Sequence, residues 1–503
     1  MIFFNVMRCE TGNIPRFQRK NAGYGIRKGF LSMSSLLDGK QHIHMIGIGG
    51  SGMYPLAQVL HAKGYYLSGS DNNETDTLAA VRAMGIPVQL GQRAENIAGA
   101  DLVVYSAAIA KNNPERAAAE QSGVAMMERS ELLGLVSEWY SDAVCIAGTH
   151  GKTTTSSMLA QILFTAGIDL SAVIGGKLPA IGGSGRAGKS DVFVCEACEY
   201  VDTFLHLSPD IAVILNIDAD HMEYFKTMEN LKASFTKFAQ KSSRYVLYNG
   251  DDANSCEAMA AVTGKTMLRF GKGADCEWRA SDIIHTPEQT TEFKVWHDGA
   301  LLGTATLTVP GEHNVLNALA AIAAAHLVGL NFAQCQAGLL AFHGAKRRFD
   351  IHAKVNGITV ADDYGHHPAE IAATLRAAKA MPYQRVIAVH QPFTYTRTAR
   401  LLDEFAEALE IADIVALTDI MGGREENTDG IFTRMLAEKI PDCIWFPQDE
   451  TVPQTDERKY QNFDDVCAAV CKRAQPGDLI ITLGCGDVNK LSKEIAETLQ
   501  KQQ

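Results

Sequence analysis

The stretch Ala143-Val-Cys-Ile-Ala-Gly-Thr-His-Gly-Lys-Thr-Thr154 decides the fold. Its first part, Ala143 to Ala147, is apolar and bounded by glycine, the pattern of a short buried strand. Its last part leads into Thr155-Ser-Ser-Met-Leu-Ala-Gln-Ile-Leu-Phe164, in which Met158, Leu159, Ile162 and Leu163 recur at helical spacing. Gly167 then stops the helix. A strand, a glycine loop ending in Gly-Lys-Thr and a helix make a phosphate-binding loop. Backbone N–H groups and the helix N-terminus hold phosphates, Lys152 supplies charge, and the Thr153 hydroxyl reaches Mg²⁺. The general loop pattern also asks for an earlier glycine, where this chain has Ile146. The alternative is a strand–turn–helix with a chance Gly-Lys-Thr, which the flanking strand and helix disfavour.

The 503 residues suffice for about three domains. With 46% hydrophobic and 21% charged residues, the composition is that of a soluble globular protein. A formal charge of −12 argues against a nucleic-acid partner. No apolar run approaches the roughly 18 residues of a membrane span. The eleven cysteines, an odd number scattered through apolar segments, point to a reducing cytosol. Residues 1–39 read as a tail or extension. Within residues 1–35, Arg8, Arg16, Arg19, Lys20, Arg27 and Lys28 face one acid, Glu10, without an apolar core for a signal peptide. A loose tail, or an early start codon with Met33 as the working start, accounts for them better than a basic amphipathic arm.

Strands and helices then alternate through three segments, 40–142, 143–345 and 346–503, which predicts doubly wound α/β domains. In the first, a strand from His42 enters Gly47-Ile-Gly-Gly-Ser-Gly52, and a second strand, Tyr65 to Ser70, ends at Asp71. Glycines followed by an acid about 20 residues on form the dinucleotide fingerprint, although any nucleotide diphosphate can use that turn. A further strand, Asp101 to Tyr105, leads into Ser106. In the second segment, Asp191-Val-Phe-Val-Cys-Glu196 ends on a carboxylate, and Ile211 to Ile217 is followed by Asp218-Ala-Asp-His221. Ligands gather beyond the carboxyl ends of parallel strands, so Glu196 and His221 are expected to face the crevice of Lys152. Asn314 and Asn317 precede an alanine-rich helix expected over 318–328; they either face a ligand or cap that helix. The third segment carries Asp362-Asp-Tyr-Gly-His-His-Pro368, His390-Gln-Pro-Phe-Thr-Tyr-Thr-Arg397 and Gly484-Cys-Gly-Asp487 at its strand ends. Neither Cys195-x-x-Cys198 nor the His366-His367 pair has further ligands at zinc spacing, so neither predicts a metal centre.

Together these motifs resemble the Mur ligase family, the ATP-dependent amide ligases of peptidoglycan synthesis. Gly148 to Thr154, Glu196-Ala-Cys-Glu199, Asn216 to His221, Gly311 to Asn317 and Asp362 to Pro368 follow in the family's order, and the likeness covers residues 40 to 495. His150 is typical of the alanine-adding branch and of the related branch that reattaches a tripeptide. Cys198 and Phe393 depart from the family's usual aspartate and histidine. The resemblance implies a Rossmann-like N-terminal domain that binds UDP-sugar, a central P-loop ATPase-like domain and a Rossmann-like C-terminal domain.

The resemblance further implies that L-alanine is joined to the lactyl carboxylate of UDP-N-acetylmuramic acid through an acyl phosphate, with ATP and Mg²⁺. ATP would lie on Gly148, Thr149, His150, Gly151, Lys152, Thr153 and Thr154, with Asn314, Arg348 and Asp363. Thr153, Glu196 and His221 would hold metal. Lys152, Glu196, His221 and Arg397 would be catalytic, with Arg397 on the carboxylate side of the substrate. Gly49, Ser51 and Gly52 would hold the uridine diphosphate, with Asp71 and Ser106 nearby. Three other readings stand beside this one: the tripeptide-recycling ligase, an NAD(P)-dependent oxidoreductase and a non-catalytic nucleotide-binding regulator.

Overall fold

In the first segment, five parallel strands form one sheet. They are β1 (His42–Ile46), β2 (Tyr66–Asp71), β3 (Val88–Leu90), β4 (Leu102–Tyr105) and β5 (Ala125–Glu128), in the order β3-β2-β1-β4-β5. The structure is a computed structural model that describes residues 37, 39–286, 290–423, 425–428, 430–447 and 462–501. Most of the expected tail therefore lies outside the described residues. The strand order reverses between β1 and β4, which puts the Gly47–Gly52 loop and Ser106 at one crevice. β1 is two residues shorter than the apolar run predicts, because Gly47 turns the chain at φ 75°.

The second sheet has ten strands: β6 (Asp142–Ala147), β7 (Ser171–Leu178), β8 (Gly183–Arg186), β9 (Val192–Ala197), β10 (Ile211–Ile214), β11 (Tyr245–Asn249), β12 (Thr266–Gly271), β13 (Trp278–His285), β14 (Thr291–His297) and β15 (Ala300–Leu307). Their order is β15-β14-β13-β12-β11-β10-β6-β9-β7-β8, with β6 parallel to both β9 and β10. The third sheet joins β16 (Asp350–Val355), β17 (Ile358–Asp363), β18 (Val386–His390), β19 (Ile414–Leu417) and β20 (Leu479–Leu483) in the order β16-β17-β20-β18-β19. All its pairings are parallel except β16 with β17. Three sheets with helical crossovers are the α/β architecture that the sequence predicts.

The helix after the phosphate loop spans Lys152–Thr165 and is buried on nearly every side. Met158, Leu159, Ile162 and Leu163 are fully inaccessible, as their spacing predicts. It packs against helix His313–Leu327, whose alanines at 318, 320, 321, 323, 324 and 325 are all buried. Small side chains let two helices and a sheet approach closely, which is why this helix is alanine-rich. It starts five residues before the expected Ala318, since Gly311 (φ 97°) makes the break. Asn314 and Asn317 thus sit inside its first turns, and Glu312 takes the capping position.

A third helix, Phe332–Leu340, closes the layer. A Cβ at Gly338 would lie 2.4 Å from the Ile162 Cα, so glycine alone fits against the phosphate-loop helix. Gly338→Val is expected to cost about 1–3 kcal/mol through overpacking and to lower the thermal unfolding midpoint. Scanning calorimetry of the variant beside the parent chain checks this.

Candidate active site

The loop between β6 and helix Lys152–Thr165 owes its shape to two glycines. Gly148 (φ 145°) and Gly151 (φ 86°) occupy backbone regions that L side chains rarely adopt. A Cβ on Gly148 would meet Leu215 Cβ at 2.8 Å, and one on Gly151 would meet Asn317 Oδ1 at 2.5 Å. The segment after β10 braces the loop. Thr149 N–H donates to Asn216 O (3.1 Å), and His150 N–H to Asn216 Oδ1 (2.8 Å). Asn216 Nδ2 donates back to His150 O (3.0 Å), and Asp218 N–H to Thr149 Oγ1 (2.9 Å).

Lys152 Nζ donates to Thr149 O (3.1 Å) and to both oxygens of Glu199 (2.9 and 3.1 Å). Burial pulls the Lys152 pKa down, but the Glu199 carboxylate and other nearby anions outweigh it and hold the amine above its ordinary value. Lys152 is therefore a fixed cation. Glu196 stands opposite Ile146 in the β6–β9 register. Its Oε1 accepts from Gly175 N–H (2.7 Å) and Ser156 Oγ (3.3 Å). Gly175 leaves it room, since a Cβ there would lie 2.5 Å from Glu196 Oε2.

His221 sits in the left-handed region (φ 55°), and its ring packs on Tyr200 at 4.7 Å. Val201 and Asp202 are also left-handed (φ 53° and 59°), so two strained loops meet here. Tyr224 Oη donates to Asp202 Oδ2 (2.7 Å) and pins them together. Asp220 lies beside His221 and pairs with Arg397 Nη2 at 3.3 Å. Burial pushes Asp220 up, but His221 and Arg397 hold it below the usual carboxylate range. Arg397, on helix Tyr395–Arg400, thus reaches from the third sheet into the central one.

His150 makes a second crossing. Its Nε2 lies 3.4 Å from Asp218 Oδ2 and its Nδ1 3.4 Å from Glu370 Oε1. Burial lowers its pKa, but the two carboxylates overcome this and raise it to about 9. Burial raises Glu370, yet His366, His150 and Arg348 keep it well below its ordinary value. Glu370 also accepts from His366 N–H (3.0 Å) and closes a capping box with His367. The sequence signal for it was His-Pro-x-Glu, an N-terminal cap with glutamate at the third position.

The connector between the second and third sheets is tied down by Asp363. That carboxylate accepts from Phe349 N–H (2.9 Å) and Gly365 N–H (2.7 Å), and burial raises its pKa. Arg347 and Phe349 are both left-handed (φ 63° and 49°). Between them, Arg348 reaches Thr153 Oγ1 at 3.4 Å and lies over the Tyr364 ring at 5.2 Å.

Two cavities meet at this junction. One, of about 280 Å³, is lined by His150, Gly151, Thr154, Asn314, Arg348 and Asp363, with Phe270, His313 and Phe349 among the apolar and aromatic walls. In it Asn314 Nδ2 donates to Pro310 O (2.6 Å), and Asn317 Nδ2 to Asn314 Oδ1 (3.0 Å). The other, of about 740 Å³, is lined from all three sheets: Ser51 from the first, Thr149, Lys152, Thr153, Glu196, Glu199 and His221 from the second, and Tyr364, Glu370 and Lys493 from the third. Gly148 forms the turn beneath. Gly49, Asp71 and Ser106 line neither cavity. Asp71 Oδ2 accepts from Gly49 N–H (3.0 Å), so the acid of the dinucleotide fingerprint braces its own glycine loop. Cys195 is buried with its Sγ 3.4 Å from that of Cys145, whereas Cys198 is exposed.

Glu199 and Glu370 were missing from the residues that sequence singled out for the site. Glu199 was visible as the last residue of Glu-Ala-Cys-Glu, but its partner lies 47 positions away.

The same three segments match three family models. The Mur ligase family catalytic domain matches residues 42–140, the Mur ligase middle domain 146–325, and the Mur ligase glutamate ligase domain 347–486. A UDP-N-acetylmuramate–L-alanine ligase of Acetivibrio thermocellus is 42% identical over 468 residues, 91% of this chain and 97% of that protein. One of Caldanaerobacter subterraneus subsp. tengcongensis is 39% identical over 463 residues, 92% of this chain and 98% of that one. Among solved structures, the UDP-N-acetylmuramate–alanine ligase of Thermotoga maritima superposes with a TM-score of 0.74 at 25% identity, covering 92% of this chain and all of that one. A murein peptide ligase of Psychrobacter arcticus gives 0.69 at 26% identity, covering 92% and 99%. With these three models matched one after another from residue 42 to residue 486, and relatives about 40% identical over nine-tenths of its length, the chain belongs to the Mur ligase family.

Proposed function

We propose that the chain joins L-alanine to the lactyl carboxylate of UDP-N-acetylmuramic acid, with ATP converted to ADP and phosphate. The observation that carries this reading is the cavity where Ser51, Lys152, Glu196 and Glu370 meet, because such a ligase must bring a sugar nucleotide, ATP and an amine to one point. Residues 40–142 are assigned to the UDP-sugar, 143–345 to ATP and 346–503 to the closing ligase domain, with 1–39 as an extension. The relatives' names supply the acceptor and the sugar nucleotide.

A free carboxylate is a poor electrophile. Transfer of the γ-phosphoryl group makes an acyl phosphate, which the alanine amine attacks with loss of phosphate. Such a transfer depends on positioning and on neutralising charge more than on covalent help. Lys152, held as a cation by Glu199, would supply one fixed positive charge at the phosphates. The free edge of the loop from Gly148 to Thr154 would cradle them. The smaller cavity suits adenine, with Asn314 and Asn317 as its polar wall and Arg348 and Asp363 toward the third sheet. Gly49, Ser51 and Gly52 would hold the diphosphate, and Asp71 and Ser106 would shape that crevice.

The Thr153 hydroxyl and the Glu196 carboxylate share one cavity wall and are hard oxygen donors, a set that fits Mg²⁺. His221, beside the Asp220 carboxylate, would help hold a second ion. Bound there, Mg²⁺ would screen the charge on the phosphate oxygens. Arg397 would orient the substrate carboxylate, and Asp220 keeps its guanidinium in place.

Phosphate release from ATP and Mg²⁺ is expected only when UDP-N-acetylmuramic acid and L-alanine are both present. Release with a tripeptide in place of L-alanine, and none with L-alanine, would transfer the chain to the recycling branch. Glycine and L-serine differ from L-alanine by one small group, so they should compete within about 1–3 kcal/mol.

Lys152→Ala should lower turnover by at least about 10²–10³-fold with an unchanged circular dichroism spectrum. Near-normal turnover in that variant would remove the phosphate loop from the mechanism.

The His150 crossing predicts a pH dependence. A histidine whose folded pKa is raised stabilises fully below its ordinary value of about 6.5 and loses that contribution as pH rises through about 9. The unfolding midpoint, compared between the parent chain and His150→Gln, should therefore converge between pH 6.5 and 9. A gap that stays constant over that window would mean that His150 is neutral.

A further inference from the structure

Four buried or half-buried groups of the first segment take no part in the chemistry above. His42 and His44 lie on one face of β1, Ser68 on β2, and Glu115 in the first turn of helix Pro114–Ser122. His44 and Glu115 are fully inaccessible, and His42 is half-buried with its ring 4.7 Å from that of Tyr66. The four form one hydrogen-bonded line. His42 Nδ1 lies 2.8 Å from Gly99 O, and His42 Nε2 2.8 Å from Ser68 Oγ. Ser68 Oγ lies 2.8 Å from His44 Nδ1, and His44 Nε2 3.4 Å from Glu115 Oε2.

The line has four hydrogen bonds and an acceptor at either end, a carbonyl and a carboxylate. Each bond needs one proton, and two neutral imidazoles with one hydroxyl bring only three. If Ser68 donates to His42, His44 must donate from both ring nitrogens. If Ser68 donates to His44, His42 must. Either way one ring is an imidazolium, and a turn of the Ser68 hydroxyl moves the charge between the outer and the inner histidine. Glu115 is not the holder of the fourth proton. Burial pushes its carboxyl up, but hydrogen bonds from His44, Ser70 and Asn96 outweigh burial and keep it below its ordinary value. The extra positive charge offsets a carboxylate that would otherwise be buried alone. Charged neighbours on the surrounding elements are engaged elsewhere. Asp101 accepts from the His42 and Gln41 N–H groups (2.9 and 3.0 Å), and Lys40 Nζ donates to Asp101 O (2.9 Å). Arg93 pairs with Glu95 (3.2 Å) and Arg116 with Glu120 (3.7 Å).

Glu115 carries this charge balance to the glycine turn. Ser70 Oγ donates to Glu115 Oε2 (2.6 Å), while Asn96 Nδ2 and Arg93 N–H (3.3 Å) donate to Oε1. Ser70 O accepts in turn from Gly47 N–H (2.8 Å) and Ile48 N–H (3.0 Å). A Cβ on Gly69 would stand 2.7 Å from Ile48 Cβ, so the end of β2 and the turn are packed as one piece. Without the fourth proton, Glu115 would face a lone pair on His44 and the anchor of Ser70 would loosen. We propose that His42, Ser68, His44 and Glu115 form a relay holding one excess proton, and that this proton positions the glycine turn, so that affinity for the sugar nucleotide falls as rising pH removes it. The effect on affinity rests on the ligase reading, whereas the proton count does not. His44 and Glu115 line neither junction cavity and act as positioning residues.

Histidine-selective nitrogen NMR of the full chain tests the count, since an imidazolium has two like nitrogens and a neutral ring two unlike ones. The signals are assigned by their loss in His42→Gln and His44→Gln. Near neutral pH the two rings together should show one imidazolium. Glu115→Gln, whose amide can itself donate to His44, should show none. Isothermal titration with UDP-N-acetylmuramic acid tests the positioning, with ADP as a control for the second segment. From about pH 6 to about pH 8.5 the parent's affinity for the sugar nucleotide should fall by about 10-fold, the worth of one hydrogen bond to a charged group. Glu115→Gln should stay flat over that range, and ADP should bind alike to both chains. Two neutral rings in the parent, an imidazolium that survives Glu115→Gln, or parallel pH curves for the two chains would overturn the proposal. The parent's spectrum decides the count even where a variant fails to fold. A parent chain that binds no UDP-N-acetylmuramic acid would instead overturn the ligase reading itself.

Discussion

The site depends on the parallel register that β6 keeps with β9 on one side and β10 on the other. Ile146 faces Glu196 across one ladder, and Ala147 faces Ile214 across the other. That alignment brings the phosphate loop, the Glu196 carboxylate and the Asn216 brace to the same edge of one sheet. In a strand the side-chain period is two, so a slip of one residue would turn Glu196 to the opposite face. β6, β9 and β10 are buried on both faces of the sheet, so such a slip would misfit the side chains packed above and below it. The catalytic geometry is therefore held by the core beneath it.

On that edge, charge is organised in pairs that cross between sheets. Lys152 with Glu199 belongs to the second sheet alone, whereas His150 with Glu370 and Arg397 with Asp220 join the second to the third. The side chains in these pairs are largely withdrawn from solvent, so the attraction within each pair is offset by the cost of desolvating both charges. Their larger effect is to fix protonation states: Lys152 and His150 stay positive, and Asp218 is held down to about 2, with His150 the first cause. The proposed ligase chemistry, which would neutralise phosphates and steer a carboxylate, would meet charges of fixed sign at this junction.

Local patterns were the legible part of the sequence. The strand–loop–helix around Lys152, the glycine turn after β1 and the strand ends at Glu196 and Asp363 each announce themselves within about ten residues. The helix expected from Ala318 was misplaced at its start because an apolar pattern does not register the two asparagines that open it. Glu199 and Glu370 were not legible in the same way. Each acquires its meaning from a partner far along the chain: Lys152 for Glu199 and His150 for Glu370. The fingerprint ending at Asp71 was legible but ambiguous, and only the hydrogen bond to Gly49 shows what the acid does here.

The connector at Arg347–Phe349 couples position to chemistry. Asp362 holds Arg347 at 3.0 Å, and Asp363 holds the Phe349 amide, so the connector is anchored in β17. Arg348 is carried between them and touches Thr153 on the phosphate loop. It behaves as the tip of a lever whose arm is the third sheet. A rotation of that sheet would carry the Arg348 guanidinium toward or away from Thr153, with no side chain changing its rotamer.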